Sequence, residues 1–199
     1  MAVQSGVYKG VSAAERAAER RRRLLDATLS VWADPEVRTT MTAVCGTAGL
    51  SERYFYESFT GLDAALTAVL EEVATEIETV TLAAAEAAGA EPAARIHAAV
   101  GAFVDLLLAD PRKGRVAIIE AAALPGLRGR RTELLRHFAH LAAEEAHSSA
   151  PARHEDELAG LLFIGGMAEV VTAWLDGALD VSPDEVVATA SRAFLGLYG

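Results

Sequence analysis

Apolar residues recur every three or four positions along most of the chain, which is the spacing of one face of an α-helix. This pattern predicts helices over 13–33, 63–88, 92–109, 111–122, 127–147, 155–175 and 183–198. Breaks in the pattern fall at Asp34-Pro35, Gly89, Asp110-Pro111 and Pro125-Gly126, and SSAP at 148–151 is a predicted linker. No segment alternates Val, Ile or Thr with polar residues as a strand does. The predicted fold is all-α.

Two shorter helices are predicted between residues 40 and 59. Thr40 can cap a helix over 41–48, and Gly49 suits the left-handed conformation that ends one. Ser51 can cap a second helix that begins at Glu52. The predicted inward residues are Val44, Ala48, Leu50, Phe55 and Phe59, and the outward ones are Thr42, Glu52, Arg53 and Tyr56. The arrangement is a helix-turn-helix, whose second helix enters the major groove of DNA.

The segments LLDATLSVW, TMTAVCGTAGLS and YFYESF, within residues 24–59, resemble the DNA-binding head of the TetR (tetracycline-repressor) family of transcriptional regulators. The resemblance implies a three-helix head, 12–62, and a larger helical body, 63–199, that binds a small molecule and dimerises. In the family, the helix after the head converts a change in the body into movement of the head. Beyond residue 59 the chain resembles the family only in being helical.

The resemblance also assigns DNA contacts to particular positions. Thr40, Thr42 and Tyr56 match positions that hold phosphates. The leading edge of the recognition helix, where base edges are met, comprises Ser51, Glu52, Arg53 and Tyr54. Arg53 is the expected base reader, because a guanidinium can bind guanine O6 and N7 together. Two departures remove phosphate contacts of the family: Leu62 stands where Lys is usual, and Ser58 where an aromatic residue is usual.

Four consecutive arginines, Arg20 to Arg23, surround the first helix. Because one of them falls on the leucine face, this end of the helix is expected to project past the packed body. Arg22 and Arg23 are then candidate phosphate contacts, which position a protein without reading sequence. The alternative is an arginine run that is merely solvated.

The body contains candidates for a ligand pocket and for a dimer interface. Phe103, Leu107, Phe138, Phe163 and Met167 are expected to line a pocket for an apolar effector, unless they are ordinary core. Residues 158–175 are apolar around most of the helix, and small residues could admit a neighbour: Gly160, Gly165, Gly166 and Ala168. The helices around 155–176 and 183–198 are therefore expected to pair with a second copy, the alternative for the first being a core helix of the monomer.

Charge is divided unevenly along the chain. The formal net charge is −10, yet residues 1–62 carry eight basic and seven acidic side chains, and residues 63–199 carry ten and 21. An acidic body would repel DNA phosphates and turn the head towards them, or would simply keep the protein soluble.

Other chemistry finds little support. The single cysteine, Cys45, excludes an internal disulfide, fits a cytoplasmic protein and is expected to be packed rather than reactive. The sequence contains no uninterrupted apolar run of about 20 residues, so no membrane span is predicted. No secretion signal is expected either. One stripe of a predicted helix could hold a divalent metal through His137, His140, Glu144 and His147. The apolar face of that helix lies on another side, so the stripe is expected to face solvent, and no metal is predicted. No catalytic motif or cofactor loop is present.

The sequence thus predicts a homodimeric transcriptional regulator, a repressor released from a double-stranded DNA operator by a small hydrophobic effector. The alternative is a helical small-molecule-binding protein whose head no longer binds DNA. An enzyme built on a helical bundle is a more remote third possibility.

Overall fold

A computed structural model of the chain describes residues 12–146 and 156–198, and all regular structure in them is helical. The elements are α1 (Ala13–Ala33), α2 (Met41–Ala48), α3 (Glu52–Ser58), α4 (Leu62–Ala87), α5 (Pro92–Ala109), α6 (Pro111–Gly114), a π-helix (Arg115–Glu120), α7 (Ala121–Ala123), a 3-10 turn (Pro125–Leu127), α8 (Arg128–Ala146), α9 (Asp156–Leu175) and α10 (Pro183–Tyr198). The all-α prediction is confirmed. Residues 1–11, the predicted SSAP linker, His147 and residue 155 lie outside the described residues.

The chain divides into two compact units, Met1–Leu70 and Glu71–Gly199, and the division falls within α4. The predicted boundary between 62 and 63 lies at the start of that helix and stays a prediction. From here on, the head denotes Met1–Leu70 and the body denotes Glu71–Gly199, in place of the predicted bounds.

The core of the head comes from α1, α2, α3 and the start of α4. Its fully enclosed side chains include Leu24, Val44 and Phe55, each with no exposed surface. Ala48 and Phe59 are buried beside them, and Leu50 packs against the same cluster. Burying a side chain of this size contributes about 1.5–3 kcal/mol, so these contacts stabilise the short α2 and α3. The predicted inward set is confirmed.

Local capping signals fix several helix ends. The Ser12–Glu15 capping box and the Ser182–Glu185 box are both present, and Thr40 Oγ1 accepts a hydrogen bond from the Ala43 N–H at 3.1 Å. Gly49 ends α2 with a φ of 60°. Ser51 occupies the N-cap position of α3, but its hydroxyl accepts no hydrogen bond from that helix, so the predicted cap is wrong. Its site is exposed, and water can serve the same N–H groups.

The body packs α5, α9 and α10 around a second cluster that includes Val104, Val186 and Phe194. Arg95 of α5 ties several elements together. Its guanidinium donates Nη2–H to Glu145 Oε2 of α8 at 2.8 Å, and Nη1–H to the carbonyls of Ala85 and Gly89 at 3.1 Å. The hydrogen bond with Glu145 raises the pKa of Arg95. A charged side chain thus satisfies the carbonyls at the C-terminus of α4.

The predicted single helix over 111–122 is interrupted by the π-helix. The ion pair between Arg115 Nε and Glu120 Oε1, 3.2 Å apart, has the five-residue spacing of π-helical hydrogen bonding. A Cβ on Gly114 would lie 3.0 Å from Leu175 Cδ1, so glycine permits close packing here. Such tertiary contacts are invisible to local periodicity.

The apolar helix α9 is packed on one side and open on another. Gly160 faces α8, where a Cβ would lie 2.5 Å from the Ala139 carbonyl oxygen. Its expected role of admitting a second copy is therefore wrong, because its space is filled by the same chain. A Cβ on Gly165 or Gly166 would meet nothing within 4 Å. Leu158 and Leu162 are 62% and 58% exposed, so α9 is not a core helix buried on all sides.

By length and composition, α5 and α9 are each apolar enough to cross a membrane. Those two properties alone do not identify a span, because core helices of soluble proteins share them. One face of α5 (Ile96, Val100, Val104) packs in the core of the body.

Cys45 is 5% exposed on α2, and burial raises the pKa of its thiol, with a smaller contribution from Glu52. We expect the native thiol to react with an aromatic disulfide reagent at least about tenfold more slowly at pH 8 than the same protein in denaturant, because the attacking species is the accessible thiolate. Equal rates would show that α2 opens freely. Absorbance of the released thiolate follows both reactions.

Candidate nucleic-acid interface

The outer surface of α3 carries a continuous set of polar and aromatic side chains. Phe55 anchors the helix in the head core, which leaves Glu52, Arg53, Tyr54 and Tyr56 exposed. Tyr56 is 59% exposed, and its ring meets the Phe55 ring edge-on with centroids 5.9 Å apart. Phe55 therefore contacts one side of the Tyr56 ring and leaves most of it accessible.

The other predicted DNA-binding residues flank this surface. Ser51 and Thr42 are exposed, and Thr40 is half-buried at the start of α2. The Thr40 oxygen already accepts the capping hydrogen bond, but its hydroxyl hydrogen can still donate to a phosphate. The structure thus brings the predicted residues of α2 and α3 to the surface of one unit.

Two arginines of α1 cap the C-termini of both helices of the motif. Arg23 Nη2–H donates to the Ala48 carbonyl, the last of α2, at 2.6 Å, and Arg21 Nη1–H donates to the Ser58 carbonyl, the last of α3, at 2.8 Å. The Arg21 guanidinium also lies 4.3 Å above the Phe59 ring. Positive charge at a helix C-terminus offsets the helix dipole. These arginines therefore help to position the recognition helix.

The expectation that the four arginines project freely is wrong for Arg20, Arg21 and Arg23, which contact residues of the motif, whereas the Arg22 side chain is 69% exposed. Arg20 lies 4.5 Å over the Tyr54 ring, and Arg22 pairs with Glu19 on α1 at 2.7 Å, which lowers the pKa of Glu19. A long side chain can lay its apolar stem on the head while its charge finds carbonyls or rings. A sequence signal was available, because α2 and α3 have no basic residue in their last turns. Arg22 and Arg23 remain candidate phosphate contacts, Arg23 now with a structural partner.

Glu57 forms an ionic bridge on the outer part of α3. Its Oε1 accepts a hydrogen bond from Arg53 Nε at 3.1 Å, and its Oε2 lies 3.7 Å from Arg20 Nη2. Arg53 is nevertheless the most exposed of the three, with 84% of its side chain accessible. Exposed pairs of this kind contribute at most about 1 kcal/mol to stability.

An apolar groove of about 590 Å³ lies along α9 and α10. Phe163 and Met167 line it, together with Leu162, Val170, Val186 and Leu197. The other predicted pocket residues do not: Phe103 packs against the body core, Leu107 is buried, and Phe138 lies beside His137. The structure thus places two of the five predicted ligand residues together.

The histidine stripe on α8 pairs with acidic side chains. His137 Nε2 lies 2.9 Å from Glu78 Oε2, and His140 Nε2 lies 3.3 Å from Glu144 Oε1. Within 12–146 and 156–198, no three His, Cys, Asp or Glu side chains are grouped as metal ligands.

The sequence matches no protein-family model and no curated protein. Solved structures are similar over nearly the whole chain. A TetR-like transcriptional regulator from Rhodococcus sp. RHA1 superimposes with a TM-score of 0.73 at 21% identity, covering 92% of this chain and 97% of that one. The fatty acid degradation regulator FadR from Bacillus halodurans gives 0.75 at 18% identity, covering 89% and 95%.

A third similar structure is the regulator FadR from Bacillus subtilis in complex with stearoyl-CoA, with a TM-score of 0.70 at 18% identity, covering 89% of this chain and 97% of that one. At these identities the likeness concerns the fold. The all-helical arrangement, with its capped helix-turn-helix, agrees with that fold along the chain. The chain therefore has a TetR-like fold.

Proposed function

We propose that this chain is a cytoplasmic, ligand-responsive transcriptional regulator that binds double-stranded DNA as a homodimer. The observation that carries the proposal is the surface of α3, where Arg53, Tyr54 and Tyr56 stand outward on a helix anchored by the buried Phe55. The second helix of a helix-turn-helix enters the major groove, where a guanidinium and two phenols can contact base edges and phosphates. The similar solved structures are transcriptional regulators, which supports the same function.

The exposed apolar face of α9 and α10 supports dimerisation through these helices. Leu158 is exposed there, Leu162 and Leu197 are exposed where they line the apolar groove, and Gly165 and Gly166 are open. Covering these side chains with a second copy removes them from water, and glycines permit close approach. A pair of helices from each chain would form a four-helix interface.

Leu162→Glu is expected to weaken dimerisation by at least about tenfold, because a carboxylate at the centre of an apolar contact loses its hydration. Sedimentation equilibrium at several protein concentrations measures the dissociation constant. Leu82→Glu is the matched control, since Leu82 is an exposed leucine of α4 and 41% accessible. Equal dissociation constants for the two variants would place the interface elsewhere.

We further propose that the chain is a repressor released by a small hydrophobic effector held in the body. The two FadR structures support this effector class, one as a regulator of fatty acid degradation and one bound to stearoyl-CoA. The effector would favour a dimer whose recognition helices no longer match successive major grooves, which are about 34 Å apart. The alternative is a helical small-molecule-binding protein whose head no longer binds DNA. Leu62, which stands where the family usually has a phosphate-binding lysine, would favour that alternative.

Gel shifts with DNA from upstream of the chain's own coding sequence test the proposal. Arg53→Ala is expected to lose about 1–3 kcal/mol of preference at one base pair, because it removes a base contact. Tyr56→Phe is expected to weaken all duplexes alike, because it removes a hydrogen bond to a phosphate and preserves the ring. Binding that ignores both substitutions would favour the ligand-binding alternative.

A further inference from the structure

A glutamate on a recognition helix needs an explanation, because DNA is a polyanion and repels it. Glu57 is paired on both oxygens. One oxygen accepts from Arg53 Nε at 3.1 Å, and the other lies 3.7 Å from Arg20 Nη2. The carboxylate therefore stands between a residue of α1 and the exposed candidate base reader of α3.

The Arg20 side chain is held in place by the head more than the Arg53 side chain is, although its distance to Glu57 is the longer of the two. Its guanidinium lies 4.5 Å over the Tyr54 ring, and its side chain is 25% exposed against 84% for Arg53. Stacking on an aromatic ring restricts a guanidinium without consuming its hydrogen-bond donors. Arg20 thus provides a fixed positive charge against which Glu57 rests.

We propose that Glu57 is a positioning residue that orients Arg53 for one guanine, which makes it a determinant of sequence specificity. Glu57 accepts a hydrogen bond from the Nε edge of the Arg53 guanidinium. The two terminal nitrogens stay available for guanine O6 and N7. Fixing a long side chain before binding lowers the entropy lost on contact. This inference rests on the proposed DNA-binding function.

Two other roles for Glu57 predict different results. A carboxylate that only repels phosphates would weaken all duplexes equally, so its removal would raise every affinity by the same factor. A carboxylate that itself accepts from cytosine N4 would determine a different base pair from the one Arg53 determines. The base pair affected and the coupling between the two residues separate the three roles.

The experiment uses the full chain and a duplex selected from a randomised double-stranded library by the unmodified protein. At fixed salt, dissociation constants are measured for the selected duplex and for its single-base variants. The proteins are the unmodified chain, Arg53→Ala, Glu57→Ala, Glu57→Gln and the double variant Arg53→Ala/Glu57→Ala. Glu36→Ala is the matched control, because it removes one exposed acidic charge from the head outside α3.

Arg53→Ala is expected to reduce the preference for guanine at one position by about 5- to 150-fold. Glu57→Ala is expected to reduce the preference at that same position by about two- to tenfold, the range for releasing one long side chain. Glu57→Gln should be intermediate, and the double variant should lose no more preference than Arg53→Ala. Glu36→Ala should change all affinities by one common factor. Unchanged melting temperatures confirm that each variant is folded.

A Glu57→Ala variant that raises every affinity equally, or that relaxes a base pair untouched by Arg53→Ala, overturns the positioning role and leaves DNA binding intact. Selection of no duplex by the unmodified chain overturns the positioning role together with the proposed function. Should Glu57→Ala melt at a lower temperature, Glu57→Gln, which preserves the shape of the side chain, decides the same comparison.

Discussion

Gly160→Ala is expected to lower the free energy of unfolding of the body by about 2 kcal/mol, because a clash with backbone lies at the upper end of the usual overpacking cost of about 1–3 kcal/mol. The added Cβ would lie 2.5 Å from the Ala139 carbonyl oxygen and 3.0 Å from its Cα, so backbone must move. Ala139 has no exposed surface, and α8 cannot shift without disturbing its own packing. The usual gain of about 1 kcal/mol for replacing a helical glycine with alanine only partly offsets this cost.

Urea titration with Trp174 as the probe measures this effect, because that residue lies on α9. The titration is carried out in a Trp32→Phe background, so that the second of the two tryptophans does not contribute. Gly101→Ala is the matched control: it is also a helical glycine, but its Cβ would meet nothing within 4 Å. It should be neutral or stabilising by up to about 1 kcal/mol. Equal stabilisation by both substitutions would contradict the close crossing of α8 and α9.

Phe55→Ala is expected to destabilise the head by about 3–5 kcal/mol and to abolish DNA binding. Phe55 is fully buried, contacts the Phe59 ring at a centroid distance of 5.5 Å, and anchors an α3 of seven residues. An isolated helix of this length is unstable in water, so α3 depends on that anchor. Trp32 fluorescence in a Trp174→Phe background follows unfolding of the head.

Tyr56→Phe serves as the control for this substitution, since it alters the adjacent residue while preserving an aromatic ring at the surface. Its effect on head stability should stay within about 0.5 kcal/mol, as is usual for exposed positions. If Phe55→Ala were equally harmless, the recognition helix would not depend on the core of the head.

Helix positions follow from local signals, which is why the sequence predicts them well. The signals that start three of the helices each act within one turn: the Ser12–Glu15 capping box, Pro92 at a first helical position, and the Ser182–Glu185 capping box. The buried faces follow from periodicity, as Phe55 illustrates. The prediction of a TetR-like fold came from the resemblance to the family, and the similar solved structures agree with it. Periodicity alone would not have given that fold.

Contacts between distant residues could not be predicted from local patterns. Arg21 meets Ser58 and Arg23 meets Ala48 only because α1 crosses the ends of α2 and α3 at a particular distance. The same holds for Gly160 against Ala139. In each case the sequence shows a residue type that suits several roles, and the crossing geometry selects one. The exposure of Arg53 and its pairing with Glu57, four residues along the same helix, were predictable from helical spacing. The approach of Arg20 on α1 to Glu57 was not.

The most direct test of the account is selection of duplexes from a randomised library by the full chain, followed by native mass spectrometry of the complex. The account predicts two chains per duplex and an inverted repeat. Its half-site centres should lie about one helical turn, or a whole number of turns, apart. Selection of no sequence, or one chain bound to one half-site, would contradict a dimeric regulator that places two copies of α3 on one duplex.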